Sequence, residues 1–202
     1  GVWKPGGLKY PEEFKKKTSD FIIRRERAEV FPELPEITRD YRYHDLSSDE
    51  MKAYSLGVKK LKDFIESSSN KKSFEFASQL QGHIMILRHI TGLAKVIPIV
   101  EFVDEFIEQQ LESGNENWKL PIFHHHIDVG TILAEHLSKR EQIKLARIVA
   151  ADDASTRYSK LAKLRSGEVN ILLFPSLAAA EGFDLDFCET GVLLEREWNP
   201  AN

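Results

Sequence analysis

The residues predict an α/β chain: a lobe with a mainly parallel sheet between two layers of helices, preceded by a largely helical region. Three observations carry this. From Lys119 onward, short apolar runs alternate with stretches of helical composition, the pattern of right-handed βαβ units. The run Val169-Asn170-Ile171-Leu172-Leu173-Phe174 is apolar at consecutive positions and so needs cover on both faces. Between Ile99 and Leu111, by contrast, apolar residues recur at three- and four-residue steps, which is the period of a helix.

Taken in order, Tyr10-Pro11-Glu12-Glu13-Phe14 sets a proline and two acids where a helix start favours them, and Lys15-Lys16-Lys17 closes that short helix. Phe31-Pro32-Glu33-Leu34-Pro35 is too interrupted for regular structure and reads as a connector into a strand over 37–44. Ser47 and Glu50 have capping-box spacing, so a helix follows to about residue 64. The loop Ser67-Ser68-Ser69-Asn70-Lys71-Lys72 separates it from a second helix over 74–94. After Pro98, residues Ile99, Phe102, Val103, Phe106, Ile107 and Leu111 form one face of a third helix, with Glu101, Asp104, Glu105 and Glu108 outside. That period makes Asp104 and Glu105 outer-face residues rather than metal ligands at a strand end.

In the second half, Leu120-Pro121-Ile122-Phe123 is the first strand, and Asp128 caps a helix over 129–137. Residues 146–150 form the second strand, 156–165 a helix stopped by Gly167, 169–174 the third strand, and 191–194 the fourth. Burying Ile171, Leu172, Leu173 and Phe174 contributes roughly 6–12 kcal/mol before entropy costs.

The chain has 202 residues and carries 28 Lys and Arg against 32 Asp and Glu, so a uniformly basic, nucleic-acid-coating protein is excluded. The balance is uneven: residues 1–100 carry a net +4 and residues 101–202 a net −8, so any surface for a polyanion is local. No apolar stretch approaches the roughly 18 residues of a membrane span, and Gly1-Val2-Trp3-Lys4-Pro5-Gly6-Gly7 lacks a secretory apolar core. An intracellular chain, in cytosol or nucleus, is expected. The one cysteine, Cys188, agrees with a reducing compartment and reads as inert.

In open parallel sheets, ligands meet the loops leaving the carboxyl ends of strands. The most informative such loop is Pro175-Ser176-Leu177-Ala178-Ala179-Ala180-Glu181-Gly182-Phe183-Asp184-Leu185: small residues admit an anion to backbone amides, Ser176 offers a hydroxyl, and Gly182 backbone freedom. A tight crossover explains the same pattern. His124-His125-His126 stand at the end of the first strand, where neighbouring side chains point to opposite faces and do not converge on one ion, so no metal is assigned. Lys59, Lys60 and Lys62 read as a solvated helix face.

The loop from Ser176 to Leu185 resembles the fifth helicase motif of Swi/Snf-type ATPases, and Glu195-Arg196-Glu197-Trp198-Asn199-Pro200-Ala201 resembles the family's Asp-Pro-Asp-Trp-Asn-Pro-Ala. Ile22-Ile23-Arg24-Arg25 with Val30-Phe31-Pro32-Glu33-Leu34-Pro35 is similar to the family's link between lobes. Leu87-Arg88-His89-Ile90-Thr91-Gly92-Leu93-Ala94-Lys95 and Pro121-Ile122-Phe123-His124-His125-His126 look like the annealing-helicase-like branch. The matches follow family order across nearly the whole chain. Two departures stand out: Pro175-Ser176 replaces Ser-Thr, and Ala179-Ala180 replaces Gly-Gly.

The resemblance implies a RecA-like second lobe: an interlobe link and leading strand over 1–45, a helical region over 46–112, and the lobe over 113–202, ending before the sixth helicase motif. In the complete enzyme ATP and Mg2+ are implied between this lobe and a first RecA-like lobe, and double-stranded DNA as the partner tracked. No G-x-x-x-x-G-K-[ST] occurs in the sequence, so the phosphate cradle is expected on the companion, no catalytic residue is assigned here, and the piece alone is expected not to hydrolyse ATP. Ser176, Gly182 and Asp184 are the residues implied to couple nucleotide to strand; His124, His125, Ser155 and Thr156 the candidates for DNA backbone contact; Arg24 and Arg25 the interlobe pair. Two other readings stay open: a noncatalytic RecA-like interaction module, and a Rossmann-like enzyme, which the absence of G-x-G-x-x-G after a strand disfavours.

Overall fold

The computed structural model describes residues 10–22, 30, 37–69, 73–176 and 183–195. They fall in two compact units, Gly1–Arg42 and Tyr43–Asn202.

In the first unit, α1 (Pro11–Thr18) begins with its proline in the first turn, as the sequence predicts, and Lys17 pairs with Glu13 one turn back. The strand expected over 37–44 does not form. The stretch 37–47 has no regular structure, and its apolar residues Ile37, Tyr41 and Tyr43 are exposed. In an extended segment Arg39 would fall on the same face as these three, which interrupts the apolar stripe a sheet would bury.

In the second unit, Ser47 caps α2 (Ser48–Ser67) with a complete capping box: its hydroxyl accepts from the Glu50 amide, and the Glu50 carboxylate accepts from the Ser47 amide. The next helix, α3 (Phe74–Ala94), lies against α2 through Phe64, which stacks on Phe76 at 5.2 Å and meets His83 at 4.9 Å. No residue of α2 is fully buried, and in α3 only Gly92 and Ala94 are. The core therefore begins where α3 ends.

Lys95 separates α3 from α4 (Val96–Glu112), which starts earlier than the sequence suggests because Pro98 fits within a first turn whose amides need no helical partner. Val100, Val103, Phe106 and Ile107 are buried, whereas Leu111 ends half exposed. Asp104 pairs with Arg140 through both guanidinium nitrogens, so this carboxylate is a structural strut, as its outer-face position implies.

Then come β1 (Leu120–His124), α5 (Ile127–Leu137), β2 (Leu145–Arg147), α6 (Ala154–Ser166), β3 (Ile171–Pro175) and β4 (Val192–Leu193). The sheet order is β2-β3-β1-β4, with every pairing parallel. Register follows from burial on both faces. Leu120, Ile122, Ile171 and Leu173 pack toward α4 and α5, while Leu172 and Phe174 pack with Ile148 and with Leu161 and Leu164 of α6. All four of Ile171, Leu172, Leu173 and Phe174 are completely buried. No described helix is long and apolar enough to cross a membrane.

Candidate functional site

All four strands point the same way, so their carboxyl ends, at His124, Arg147, Pro175 and Leu193, share one edge. His124 closes β1 and turns inward. Its ring is 2% exposed and lies over Gly130 of α5, where a Cβ would collide with the imidazole. Nδ1 meets the His126 carbonyl at 3.0 Å, and the Ser176 hydroxyl donates to the His124 carbonyl at 3.0 Å, tying the end of β3 to the end of β1. Burial holds the imidazole below its ordinary pKa, against the opposing pull of the His126 carbonyl and the Glu195 charge. Its Nε2 and the Arg147 Nε are buried without a partner among the described residues, while Arg147 donates through Nη2 to the Thr131 hydroxyl at 2.8 Å.

Glu195, two residues beyond β4, is 4% exposed. One carboxylate oxygen accepts from the His125 amide at 2.7 Å and the His126 amide at 2.9 Å; the other lies 2.5 Å from His126 Nδ1. Burial pushes this carboxyl up, but the bonds from the His126 ring and the two amides outweigh it and hold the group below the usual carboxylate range. Lys95 donates to the Leu194 carbonyl at 3.2 Å, and its own burial lowers its pKa against the pull of Glu195. The His126 ring lies 4.9 Å from that of His89, which meets Asp128 at 2.5 Å. Two carboxylate–imidazole pairs thus abut, joining α3, the β1–α5 turn and the end of β4.

The residues singled out in the sequence are distributed unevenly around this edge. Ser176 and His124 are joined directly, and His125 is half-buried in the turn beside them. At 2% exposure the His124 ring has no surface to offer a phosphate, so the direct contact expected of it is withdrawn. Ser155 and Thr156 open α6 and are exposed, but the Thr156 amide already donates to the Asp153 carboxylate at 2.7 Å. Asp184 lies apart: its carboxylate meets Arg165 at 3.4 Å, and Arg165 stands ten residues beyond Ser155 on α6, roughly 15 Å along the axis. From Phe183, which packs on Phe174 and Tyr158, the chain runs back along α6 to Phe187, which lies under Arg165. That return course separates Asp184 from Ser176. Gly182, Arg24, Arg25, Trp198 and Asn199 lie outside the described residues. Among the described residues no group of three or more His, Cys, Asp or Glu is placed to hold a metal ion. Cys188 is half-buried, and burial pushes its thiol up to about 11, which leaves almost no thiolate near neutrality.

Sequence reasoning did not single out Glu195, His89 or Arg147. Their roles depend on contacts across 69, 39 and 16 positions. The one local signal was the acid Glu195 directly after the apolar run 192–194, where a charge is costly unless partners await it.

Comparison with known proteins places this geometry. An uncharacterized ATP-dependent helicase of Mycoplasma genitalium is 27% identical over 199 residues, covering 92% of this chain and 18% of that protein. The chain therefore spans about a fifth of the length of the curated relative it matches. The C-terminal domain of the Sulfolobus solfataricus SWI2/SNF2 ATPase superposes with a TM-score of 0.64 at 18% identity, over 78% of this chain and 71% of that one. The core of the same ATPase, solved in complex with dsDNA, gives 0.65 at 21% identity, over 94% of this chain and 42% of that one. The fold is that of a RecA-like helicase C-terminal lobe. Residues 100–202 match the helicase conserved C-terminal domain, which is half of the sequence and contains the whole parallel sheet with its carboxyl edge, and the chain belongs to that family.

Proposed function

We propose that this chain is the second lobe of a Swi/Snf-type DNA-dependent ATPase that translocates on duplex DNA, and that it tracks one strand's backbone at the carboxyl edge of its sheet. The observation that carries the reading is the gathering, on that edge, of the β1–α5 turn with His125 and of the exposed start of α6 with Ser155 and Thr156. A similar archaeal core, whose superposition covers 94% of this chain, has been solved in complex with dsDNA, which supports the same partner here. ATP and Mg2+ belong, in this reading, to the complete enzyme. The reading leaves the phosphate cradle to a companion lobe, since this sequence carries no G-x-x-x-x-G-K-[ST], and gives this one the role of a wall. Ser176, through its bond to the His124 carbonyl, links the loop after β3 to the backbone-facing turn. Arg24 and Arg25 remain the proposed interlobe pair, and Gly182 the proposed hinge of the coupling loop.

The test is DNA-stimulated ATPase activity of the full-length protein that carries this chain. Double-stranded DNA should stimulate hydrolysis, and the 202-residue chain alone should not turn over ATP. Binding of duplex by the lobe should weaken with salt, with a log-log slope of about −0.9 per phosphate neutralised. Ser155→Glu, which sets a second acid beside Asp153, should weaken it further. No ATP hydrolysis by the full-length protein with or without DNA, together with a duplex affinity unaffected by salt, would instead favour the noncatalytic interaction module.

A further inference from the structure

The described residues contain two buried polar side chains, His124 and Glu195, and both bond to the β1–α5 turn. His124 is part of β1 and bonds locally. Glu195 reaches the turn from a different strand. β4 is only two residues long and pairs with β1 at Ile122↔Val192 and Phe123↔Leu193, with one further bond from the Leu194 amide to the Phe123 carbonyl at 3.0 Å. Beyond that bond, among the described residues, the Glu195 side chain takes over the pairing. It accepts from the next two amides of the β1 chain, those of His125 and His126, and from the His126 ring. A carboxylate in this place is costly: a buried charge must be matched by several donors, and an apolar plug of the same size is often as stable or more so. Stability alone therefore does not account for it. What a carboxylate does and an apolar plug does not is fix the orientation of two successive peptide groups.

Residues of two helices, α3 and α5, are placed around the same strand end. Gly92 of α3 leaves the space the carboxylate fills, since a Cβ there would sit 2.5 Å from Oε1 and 3.0 Å from Cδ. Lys95, at the end of α3, holds the Leu194 carbonyl. Val129 of α5 packs at the same spot, 3.2 Å from that Cβ position. We propose that Glu195 is a positioning residue which, by clamping the His125 and His126 amides and the His126 imidazole, fixes the β1–α5 turn in the shape that meets the DNA backbone. The inference rests on the reading of this edge as the DNA-tracking surface, and it deepens that reading by naming what holds the surface in place. Because the clamp takes up the turn's own amides, the phosphate contact falls to side chains whose direction those peptides set.

The experiment measures ATPase rate against DNA concentration in the full-length protein, for the wild type and three variants. Glu195→Ala leaves two buried amides unpaired and should raise the half-saturating DNA concentration about tenfold or more, while the rate at saturating DNA changes far less. Gly92→Ala keeps the carboxylate but pushes it off its donors, and should shift the half-saturating concentration in the same direction. Glu195→Gln keeps one oxygen for both amides and should restore the half-saturating concentration to within about twofold of wild type. A merely structural role would lower the amount of active enzyme, and so the maximal rate, without moving that concentration. In the 202-residue chain, the nitrogen resonances of His126 should report a protonated Nδ1 in the wild type and lose that signature in Glu195→Ala. Wild-type activity without DNA stimulation would overturn the DNA-tracking reading and this inference with it. A stimulated wild type whose half-saturating concentration is unmoved in Glu195→Ala and Gly92→Ala would overturn the positioning role alone. If Glu195→Ala fails to fold, Gly92→Ala and Glu195→Gln decide: equal impairment in both would exclude positioning through the retained acceptor.

Discussion

Adding a methyl group at Gly130 should displace the His124 ring, and the size of the effect follows from the packing. A Cβ at Gly130 would lie 2.7 Å from Nδ1 and closer still to Cε1 and Nε2. Ordinary carbon contacts are about 3.5–4.0 Å, and the ring is closed in, with its Nδ1 held by the His126 carbonyl. Overpacking of this kind costs about 1–3 kcal/mol. Alanine also gains about 0.8–1 kcal/mol over glycine within a helix, so Gly130→Ala alone should lose between about 0 and 2 kcal/mol. A single variant is therefore a poor test. The cycle with His124→Ala is a sharp one, because the helical gain is common to both backgrounds and the collision is not. With the ring removed, Gly130→Ala should be neutral or stabilising, giving a coupling energy of about 1–3 kcal/mol. Urea unfolding of the four proteins, with unchanged m-values, measures it. A coupling below about 0.5 kcal/mol would refute the packing argument.

Further outcomes are expected from the same contacts. Burial lowers the His124 pKa, so the unfolded chain takes up a proton first as pH falls; stability is complete above the unfolded value near 6.5 and declines as pH drops from there toward the folded value. His124→Gln should flatten that slope in unfolding measured between about pH 7.5 and 5.5. Glu195 and Asp128, both held below the ordinary carboxylate range, act in a separate window: their contribution is complete above about pH 4.5 and is lost on further acidification. Replacing Arg140 with Leu should remove the link to Asp104 between α4 and the end of α5 and cost up to about 1 kcal/mol at low salt, less at high salt, since both side chains are partly exposed. Ser47→Ala should speed amide hydrogen exchange in the first turn of α2 and leave exchange in β3 unchanged, a contrast read directly by mass spectrometry.

What the sequence made legible was whatever local pattern decides. The consecutive apolar run over 171–174 required cover on both faces, and it is completely buried between two helical layers. The three- and four-residue spacing of Val103, Phe106 and Ile107 gave α4, and Ser47 with Glu50 gave the start of α2. The strand expected over 37–44 does not form: alternating aromatics mimic one, but Arg39 falls on the same face as Ile37, Tyr41 and Tyr43, and these three are exposed. At the site, neighbours in one loop take different partners: Ser176 is bonded to β1 and Asp184 to Arg165. Three adjacent histidines looked alike, and the structure gives at least two of them different work. His124 enters the core over Gly130, and His126 turns to a carboxylate 69 positions away. Neither pairing can be assigned from local pattern, because both contacts exist only once α5 and β4 have packed.

The carboxyl edge has one electrostatic feature that bears on how such a lobe would grip a nucleic acid. Helix starts offer unpaired amides and a partial positive charge, and are ready seats for phosphate. Here those seats are filled from within. Asp153 takes the Thr156 amide at the start of α6, Asp128 takes the Val129 amide at the start of α5, and Glu195 takes the two amides just before it. A phosphate approaching this edge would meet carboxylates where it would otherwise find donors. Of these, Asp128 is bonded to His89, and Glu195 is buried among its donors, which leaves Asp153 exposed beside the Ser155 hydroxyl. Asp153→Asn should keep a capping oxygen for the Thr156 amide and remove the charge. If phosphate is met at the start of α6, duplex affinity should rise several-fold at low salt, with the gain shrinking as salt screens it. An affinity unchanged by this substitution at every salt concentration would place the backbone contact away from α6, and would shift the expected contact toward the β1–α5 turn.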